Sequence, residues 1–561
     1  YNNIDDEIEG LMINSENFQA LNLMMEKYKN SIKCIFIDPP YNRKDGEFIY
    51  KDTYKHSSWL SMMKDRIEYA KNIMDEDGVI FISIGEDEIY NLKKLMDTVF
   101  GEKNMIANLV WEKKKKGTFL SDNITNFKDY ILVYAKDNNR FNGLIGEINK
   151  DKETYPCINE NNNEEIRIIK KGIPSKFKHK NYELESGSII SEGSMELKLE
   201  SDLIIKNGYL AKDLVIRGKW RYTQSELDKF VQQEKLYITT KLYPRRIVTE
   251  PRPKTLKDLL LRVGKDENAS QLDPDNLYLD GWGSNEDSQN EIKNLFFKGA
   301  FPYPKPTKLI KKLILSYSRE SVLVLDFFAG SATTGHSVIS LNKKLKANYN
   351  YILIEMGKYF NKLLLPRIKK ISYAEQWKDG KPQDNNGYSH FFKYQSLEQY
   401  EDSLDNIKFA EEKENLNLFN KYDDYLINYM LDYETRESLL DLDKFSTPFN
   451  YYLEITEGKE KVKKKVNLVE TFNYLIGLQV KERNVYKHQE RKYKVIFGEK
   501  NNKEIAVIWR NIEKLDLEED KEFIESKIIR DKKIDKLYLN GDNYLENTIL
   551  IEEQFNKLLF S

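Results

Sequence analysis

The sequence predicts an α/β fold: a doubly wound, Rossmann-like sheet interrupted by an inserted module and followed by an α+β C-terminal domain. Three observations predict it. Short apolar runs, IKCIFID at 32–38, VIFISI at 79–84, VLVLDF at 322–327 and YILIE at 351–355, read as strands buried on both faces. Segments with apolar residues at helical spacing alternate with them. From about 137 to 260 this rhythm fades into polar, Asn- and Lys-rich sequence, and it returns at 304–371.

Taken in order, the strand at 32–38 runs into DPPYN, a sharp break. Residues 57–74 place Trp59, Met63, Ile67, Ala70 and Met74 on one helical face, and Asp77-Gly78 is expected to end that segment. A strand at 79–84, an amphipathic helix at 86–100 and a third strand, YILVYA at 130–135, follow. Strands alternating with helices mark βαβ units. In the second half a helix follows Pro304-Lys305-Pro306, then come the strand 322–327, a Gly-containing turn, the helix TTGHSVISLNKK, the strand 351–355 and a further helix. Beyond about 396 the chain turns acidic and lysine-rich, with short strands in YKVIFG, EIAVIW and KLYLNG. The expected domains are therefore 1–136, 137–262, 263–395 and 396–561.

Composition narrows the function. In 561 residues, 89 Lys+Arg face 91 Asp+Glu, for a net charge of −2. There is no overall basic footprint, so any nucleic-acid contact has to be local. Aromatic residues at 12% rule out a disordered chain. Two cysteines, Cys34 and Cys157, exclude a disulfide framework and a cysteine zinc site, and five scattered histidines argue against a histidine-built centre. No metal is expected. No apolar run approaches the ~18 residues of a membrane span. The acidic start, YNNIDDEIEG, lacks the basic and apolar regions of a signal peptide, so a cytosolic protein is expected. Tyr1 in place of Met leads to the expectation that the natural N-terminus lies upstream.

Two sites carry chemistry. Asp38-Pro39-Pro40-Tyr41 stands at the carboxyl end of a buried strand, where ligands of doubly wound sheets bind. Two prolines fix the backbone and remove two N–H donors. What remains is a rigid turn presenting carbonyl oxygens, one carboxylate and one aromatic ring. That set suits a planar group bearing an exocyclic amine, with the ring stacked on its face. The second site, Asp326-Phe327-Phe328-Ala329-Gly330-Ser331-Ala332-Thr333-Thr334-Gly335, joins a strand to a helix. Gly330 permits a tight turn and close approach of a ligand, and the helix start offers free N–H groups. Glu355, at the end of the next strand, is placed to accept from ribose hydroxyls. No Walker lysine is present, so a phosphate-loop reading fails.

DPPYN followed by DFFAGSATTGH resembles the β class of amino-group DNA methyltransferases, in which the catalytic motif precedes the S-adenosylmethionine motif. More closely, the chain resembles modification subunits of type III restriction–modification systems. INSENFQAL (13–21), DGVIFISIGEDE (77–88), FPYPKPTKLIKKLI (301–314) and VLDFFAGSATTGHSV (324–338) carry the match. In the C-terminal part ETRESLLDLDKFSTPF (434–449) and VNLVETFNYLIGL (466–478) select type III.

The resemblance implies roles. Asp38 and the Pro39 carbonyl hold the target amine, Pro40 stiffens the turn and Tyr41 stacks on the extruded base. Asp before PPY points to adenine N6 rather than cytosine N4. Asp326, Phe328, Gly330, Ser331, Thr333 and Glu355 line the cofactor, Lys305, Pro306 and Thr307 support its methionine end, and Glu16 and Asn17 loosely match a usual Gly-Asp-Asn. Two departures stand out: Ala332 replaces the second Gly of the common pattern, and Ser15-Glu16 replaces Gly-Asp. The inserted segment is the candidate target-recognition module. Lys113, Lys114, Lys115, Lys116, Lys176, Lys178, Arg245 and Arg246 are candidate DNA contacts. The implied partners are double-stranded DNA, a second copy of the chain and a restriction helicase–nuclease subunit, in a prokaryotic cytoplasm. The alternatives are a cytosine-N4 or stand-alone type II methyltransferase, and a non-catalytic DNA-specificity subunit.

Overall fold

The computed structural model describes residues 3–43, 54–115, 124–192, 195–266, 271–318, 320–399, 402–403, 442–457 and 460–559. Lys116 and residues 434–441 lie outside the described residues. The chain forms two compact units, one of residues 1–145 with 256–561 and one of residues 146–255.

The first unit is organised by a nine-stranded sheet. Its strands are β1 (Gly10–Asn14), β2 (Ile32–Ile37), β3 (Met74–Ile84), β4 (Met105–Glu112), β5 (Lys128–Ala135), β6 (Leu259–Leu260), β7 (Val322–Asp326), β8 (Tyr349–Glu355) and β9 (Phe392–Ser396). Their order across the sheet is β6-β4-β5-β3-β2-β7-β8-β1-β9. Only β5 runs antiparallel to its neighbours, β3 and β4. Alternation along each central strand explains why both faces are covered. Cys34 and Phe36 of β2 join Val79 and Phe81 of β3, Val324 of β7 and Tyr351 of β8 in one core. Ile35, Ile37, Ile80, Ile82, Leu325 and Ile352 join a second core on the opposite face.

Helices cover each face. Trp59, Met63, Ile67, Ala70 and Ile73 of α2 (His56–Ile73) are fully buried in the second core, beside α1 (Asn17–Met24) and α3 (Ile89–Phe100). On the other face lie α5 (Thr307–Tyr317), α6 (Thr333–Leu345) and α7 (Leu365–Tyr373), the first preceded by α4 (Asn285–Leu295). The sequence reading placed a helix end at Asp77-Gly78. Instead α2 stops at Ile73 and β3 begins at Met74, with the β2–β3 register shifting between Ile32 and Cys34. Asp77 and Gly78 occupy that irregular stretch of strand.

Strand order reverses between β2 and β7, which lie side by side and parallel, with Cys34 opposite Val324. Crevices at such switch points hold the ligands of doubly wound sheets. The carboxyl ends of β1, β2, β7 and β8, all mutually parallel, therefore bring residues 14–17, 38–41, 326–335 and 355 to one edge.

The C-terminal part is α+β. Five strands, 479–488, 491–500, 503–510, 536–539 and 548–550, form a sheet in chain order. Phe472 and Phe555, from helices 468–475 and 551–559, pack with Trp509 on one side. Backbone N–H groups of Ile4 and Asp5, just ahead of β1, donate to the Lys481 and Val480 carbonyls of this part. The second unit, expected at 137–262, spans 146–255. Its described residues form small sheets, mostly antiparallel, and one helix, 224–232, with a Thr223/Glu226 capping box, around Leu197, Leu199, Leu203, Ile216 and Leu227.

Candidate active site

The turn after β2 is held from several sides. The Trp59 indole N–H of α2 donates to the Pro40 carbonyl at 2.9 Å. Of the two proline carbonyls only that of Pro39 has no donor among the described residues, so it alone is open to a ligand. Asn42 takes left-handed backbone (φ 56°) and its amide donates to the buried Glu88 at 2.6 Å, which fixes the exit of the turn.

Tyr41 is nearly buried. Its hydroxyl meets Ser83 Oγ of β3 at 2.7 Å and Asp129 Oδ2 of β5 at 3.4 Å. Burial, with Asp129 and Asp38 nearby, pushes that hydroxyl well above the ordinary phenol range, so Tyr41 stays neutral. A Cβ at position 85 would lie 2.9 Å from the Tyr41 ring, so Gly85 is required by this packing. The Lys305 ammonium donates to both oxygens of Asp38, at 2.6 Å each, and lies 5.0 Å from the Tyr41 ring centroid.

The turn after β7 is equally determined. Asp326 is buried and both its oxygens are committed, Oδ1 to the Phe328 N–H (3.0 Å) and Oδ2 to the Thr334 hydroxyl (2.6 Å). These two bonds shape the loop. Glu355 accepts from the Gly330 N–H (2.9 Å) and the Gly357 N–H (2.7 Å), and so ties the end of β8 to the glycine turn. Burial raises both carboxyls to about 7. Gly330 adopts φ +50°, with Phe301 3.2 Å from a Cβ placed there. Ala332, fully buried, adopts φ 62° and ψ 35°, so this departure is absorbed in left-handed backbone that glycine usually takes.

Beneath the loop lies a buried network. Arg367 of α7, fully buried, donates through Nη1 to the Ser331 carbonyl (3.0 Å), Ser331 Oγ (3.1 Å) and Thr333 Oγ1 (3.0 Å). Its other side faces Glu291 of α4 at 3.6 Å and His336 Nδ1 at 3.1 Å. Burial, then the Arg367 charge, holds His336 well below its usual range, so the imidazole is a neutral acceptor. Glu291 accepts from the Thr307 N–H and hydroxyl. Thr307, Ser331 and Thr333 thus form one unit held from behind. Asn17 donates to the Phe327 carbonyl at 2.9 Å, whereas the Glu16 carboxylate caps α1 and pairs with Arg66.

The DNA methylase family model matches residues 32–365, more than half of the chain and both turns. The chain belongs to the DNA methylase family. The chain is 28% identical over 373 residues to the type III restriction-modification enzyme StyLTI Mod subunit of Salmonella typhimurium, which covers 61% of this chain and 52% of that protein. It is 27% identical over 395 residues to the EcoP15I Mod subunit of Escherichia coli, over 62% and 58% of the two chains. The chain thus spans little more than half the length of these relatives. Among solved structures, the PvuII DNA methyltransferase (cytosine-N4-specific) matches at 12% identity and a TM-score of 0.32, over 64% of this chain and 86% of that one.

The expected DNA contacts of this methylase-family chain fall into different environments. Lys113 is buried and paired with Asp129 at 2.5 Å, beneath Tyr41, so it is a support of the turn and not a surface cation. Lys115 pairs with Asp287 at 2.6 Å at the start of α4. Lys114 is half-buried, and Lys176 and Lys178 are exposed. Arg245 donates to the Thr154 carbonyl, and Arg246 lies 4.2 Å from the Phe230 ring. Both arginines serve the second unit's own packing.

Sequence reasoning missed Trp59, Ser83, Asp129, Glu291 and Arg367 as parts of the site. Trp59 was visible only as a core residue at helical spacing. Lys113 carried a signal: it continues the buried period-2 face of Leu109 and Trp111.

Proposed function

We propose that the chain is an S-adenosylmethionine-dependent DNA methyltransferase that modifies adenine N6, as the modification and target-recognition subunit of a type III restriction–modification system. The observation that carries this reading is the placement of Asp38-Pro39-Pro40-Tyr41 and the Gly330–Glu355 turn at the carboxyl ends of neighbouring parallel strands, in a chain of the DNA methylase family.

The residues fit the cofactor. Gly330 has no side chain to hold a ligand off the turn, and the buried Glu355 carboxylate at the end of β8 is of the kind that accepts from a ribose diol. The cofactor would supply a methyl group made electrophilic by its sulfonium. The protein supplies placement. Asp38 and the Pro39 carbonyl accept the two amine N–H groups, and the Tyr41 ring, held by Ser83, offers a face for the extruded base. With its N–H groups held by Asp38 and the Pro39 carbonyl, the amine nitrogen would take the methyl group and lose one proton to water, the cofactor leaving as its neutral thioether. No residue forms a covalent intermediate. Extruding the base costs a few kcal/mol of stacking and pairing.

The Mod subunit relatives support the type III assignment. In this reading the unit 146–255 reads the DNA sequence with Lys176 and Lys178 near the phosphates. The chain pairs with a second copy, and cleavage belongs to a separate restriction subunit. The test is incubation of the purified chain with methyl-labelled S-adenosylmethionine and genomic DNA from cells lacking the gene, followed by nucleoside mass analysis. N6-methyladenine is expected. N4-methylcytosine would contradict the adenine assignment, and unlabelled DNA would overturn the reading.

A further inference from the structure

We propose that Lys305 is the positioning residue of the catalytic carboxylate: it holds Asp38 aimed at the site of the target amine and yields one oxygen to that amine. The proposal rests on the methyltransferase reading above. The family resemblance implied a role for Lys305 at the methionine end of the cofactor. In the structure its ammonium instead sits on Asp38, 2.6 Å from each oxygen, and it is Asp38's only hydrogen-bond partner among the described residues.

Three features make this contact more than a surface ion pair. The Lys305 side chain is 9% exposed and that of Asp38 26%, so the ammonium is largely shielded while the carboxylate keeps an open side. Its backbone lies between Pro304 and Pro306, each with a fixed φ, and directly precedes α5, whose Thr307 is pinned by Glu291. The ammonium also stands 5.0 Å from the Tyr41 ring centroid, a cation–π distance.

Lys305 therefore touches the two groups that a flipped base would use: it donates to the acid and lies over the ring. The arriving amine must take one of the two oxygens. An ammonium has three donors and no acceptor, so Lys305 can keep the other oxygen while the amine engages the first. Without Lys305, Asp38 is free to turn about its side-chain torsions and the acceptor is no longer aimed. Lys305 neither gains nor loses a covalent bond or a proton in this role.

The experiment compares wild type, Lys305→Met and Lys305→Arg. Binding of S-adenosylmethionine is measured by calorimetry. The single-turnover methylation rate is measured at saturating cofactor with genomic DNA from cells lacking the gene. Lys305→Met is expected to bind cofactor within about 3-fold of wild type while its rate falls on the order of 100-fold, the scale of a misplaced reacting group. Lys305→Arg, able to hold both oxygens, recovers much of the rate. Loss of cofactor affinity with the saturated rate intact would overturn the proposal, as would a full rate in Lys305→Met. If the Met variant does not fold, Lys305→Gln, which keeps an N–H donor, is read by the same two measurements. A wild type that neither binds cofactor nor transfers methyl would instead refute the proposed function itself.

Discussion

Trp59→Phe isolates the one hydrogen bond that ties α2 to the proline turn. Trp59 is fully buried, and its indole N–H meets the Pro40 carbonyl at 2.9 Å. Removing the donor costs about 1 kcal/mol for the bond, held at the low end because Pro40 is only half-buried and water can reach it. The smaller ring leaves roughly 40 Å³ unfilled, which at about 24 cal/mol per Å³ adds about 1 kcal/mol. The expected destabilisation is therefore about 2 kcal/mol, read as a fall in the denaturant midpoint of the first unit. The Pro40 carbonyl also loses its anchor, so single-turnover methylation should fall on the order of 10-fold or more while cofactor affinity, set at the neighbouring turn, stays. Loss of stability with an unchanged rate would refute the claim that this indole positions the turn. An unchanged midpoint would refute the burial argument as well.

Two further outcomes follow from the buried charges. Asp326 and Glu355 hold protons up to about pH 7 in the folded chain, whereas the unfolded chain releases them near 4. Folding thus takes up protons in that window, and these two groups lower the stability of the unliganded protein as pH rises from about 4 through 7. Asp326→Asn keeps the acceptor for Phe328 and removes one of the two titrations, so the stability gap between variant and wild type should grow in the variant's favour from pH 5 to 8 in thermal melts; a constant gap would contradict the assignment. Arg367→Met strips three bonds from the Ser331–Thr333 loop and removes the buried cation facing the partly exposed Glu291, a loss of about 2–3 kcal/mol, mostly from buried oxygens left without their donor. Its melting temperature should drop steeply, with weaker cofactor binding by calorimetry in whatever folds; an unaffected melt would show that the network carries no load.

Much of this site was legible in the sequence because its motifs are local. Asp38 and Asp326 follow apolar runs that are buried on both faces, and such runs announce both the strand and where it ends. Glu355 follows a third such run. The outer strands were not legible. GLMIN of β1 is only five residues, MIANLVWE of β4 buries one face in part, and FKYQS of β9 is half-exposed and polar. None has the continuous apolar run of a central strand. The supports were hidden for another reason. Glu291, Thr307, Ser331 and Arg367 meet only through the packing of α4, α5, α6 and α7, so no short stretch contains their pairing. Lys113 was masked by the lysines beside it. Its partner Asp129 comes from the adjacent antiparallel strand, where Trp111 opposes Asp129, and the run of charge concealed the period-2 burial.

Asp38→Ala offers the most direct measurement of the central claim. It is made on the folded full chain with two readouts: calorimetric binding of S-adenosylmethionine and methyl incorporation into genomic DNA from cells lacking the gene. Cofactor affinity close to wild type and no detectable N6-methyladenine are expected. An Asp38→Ala protein that methylates at the wild-type rate would contradict it.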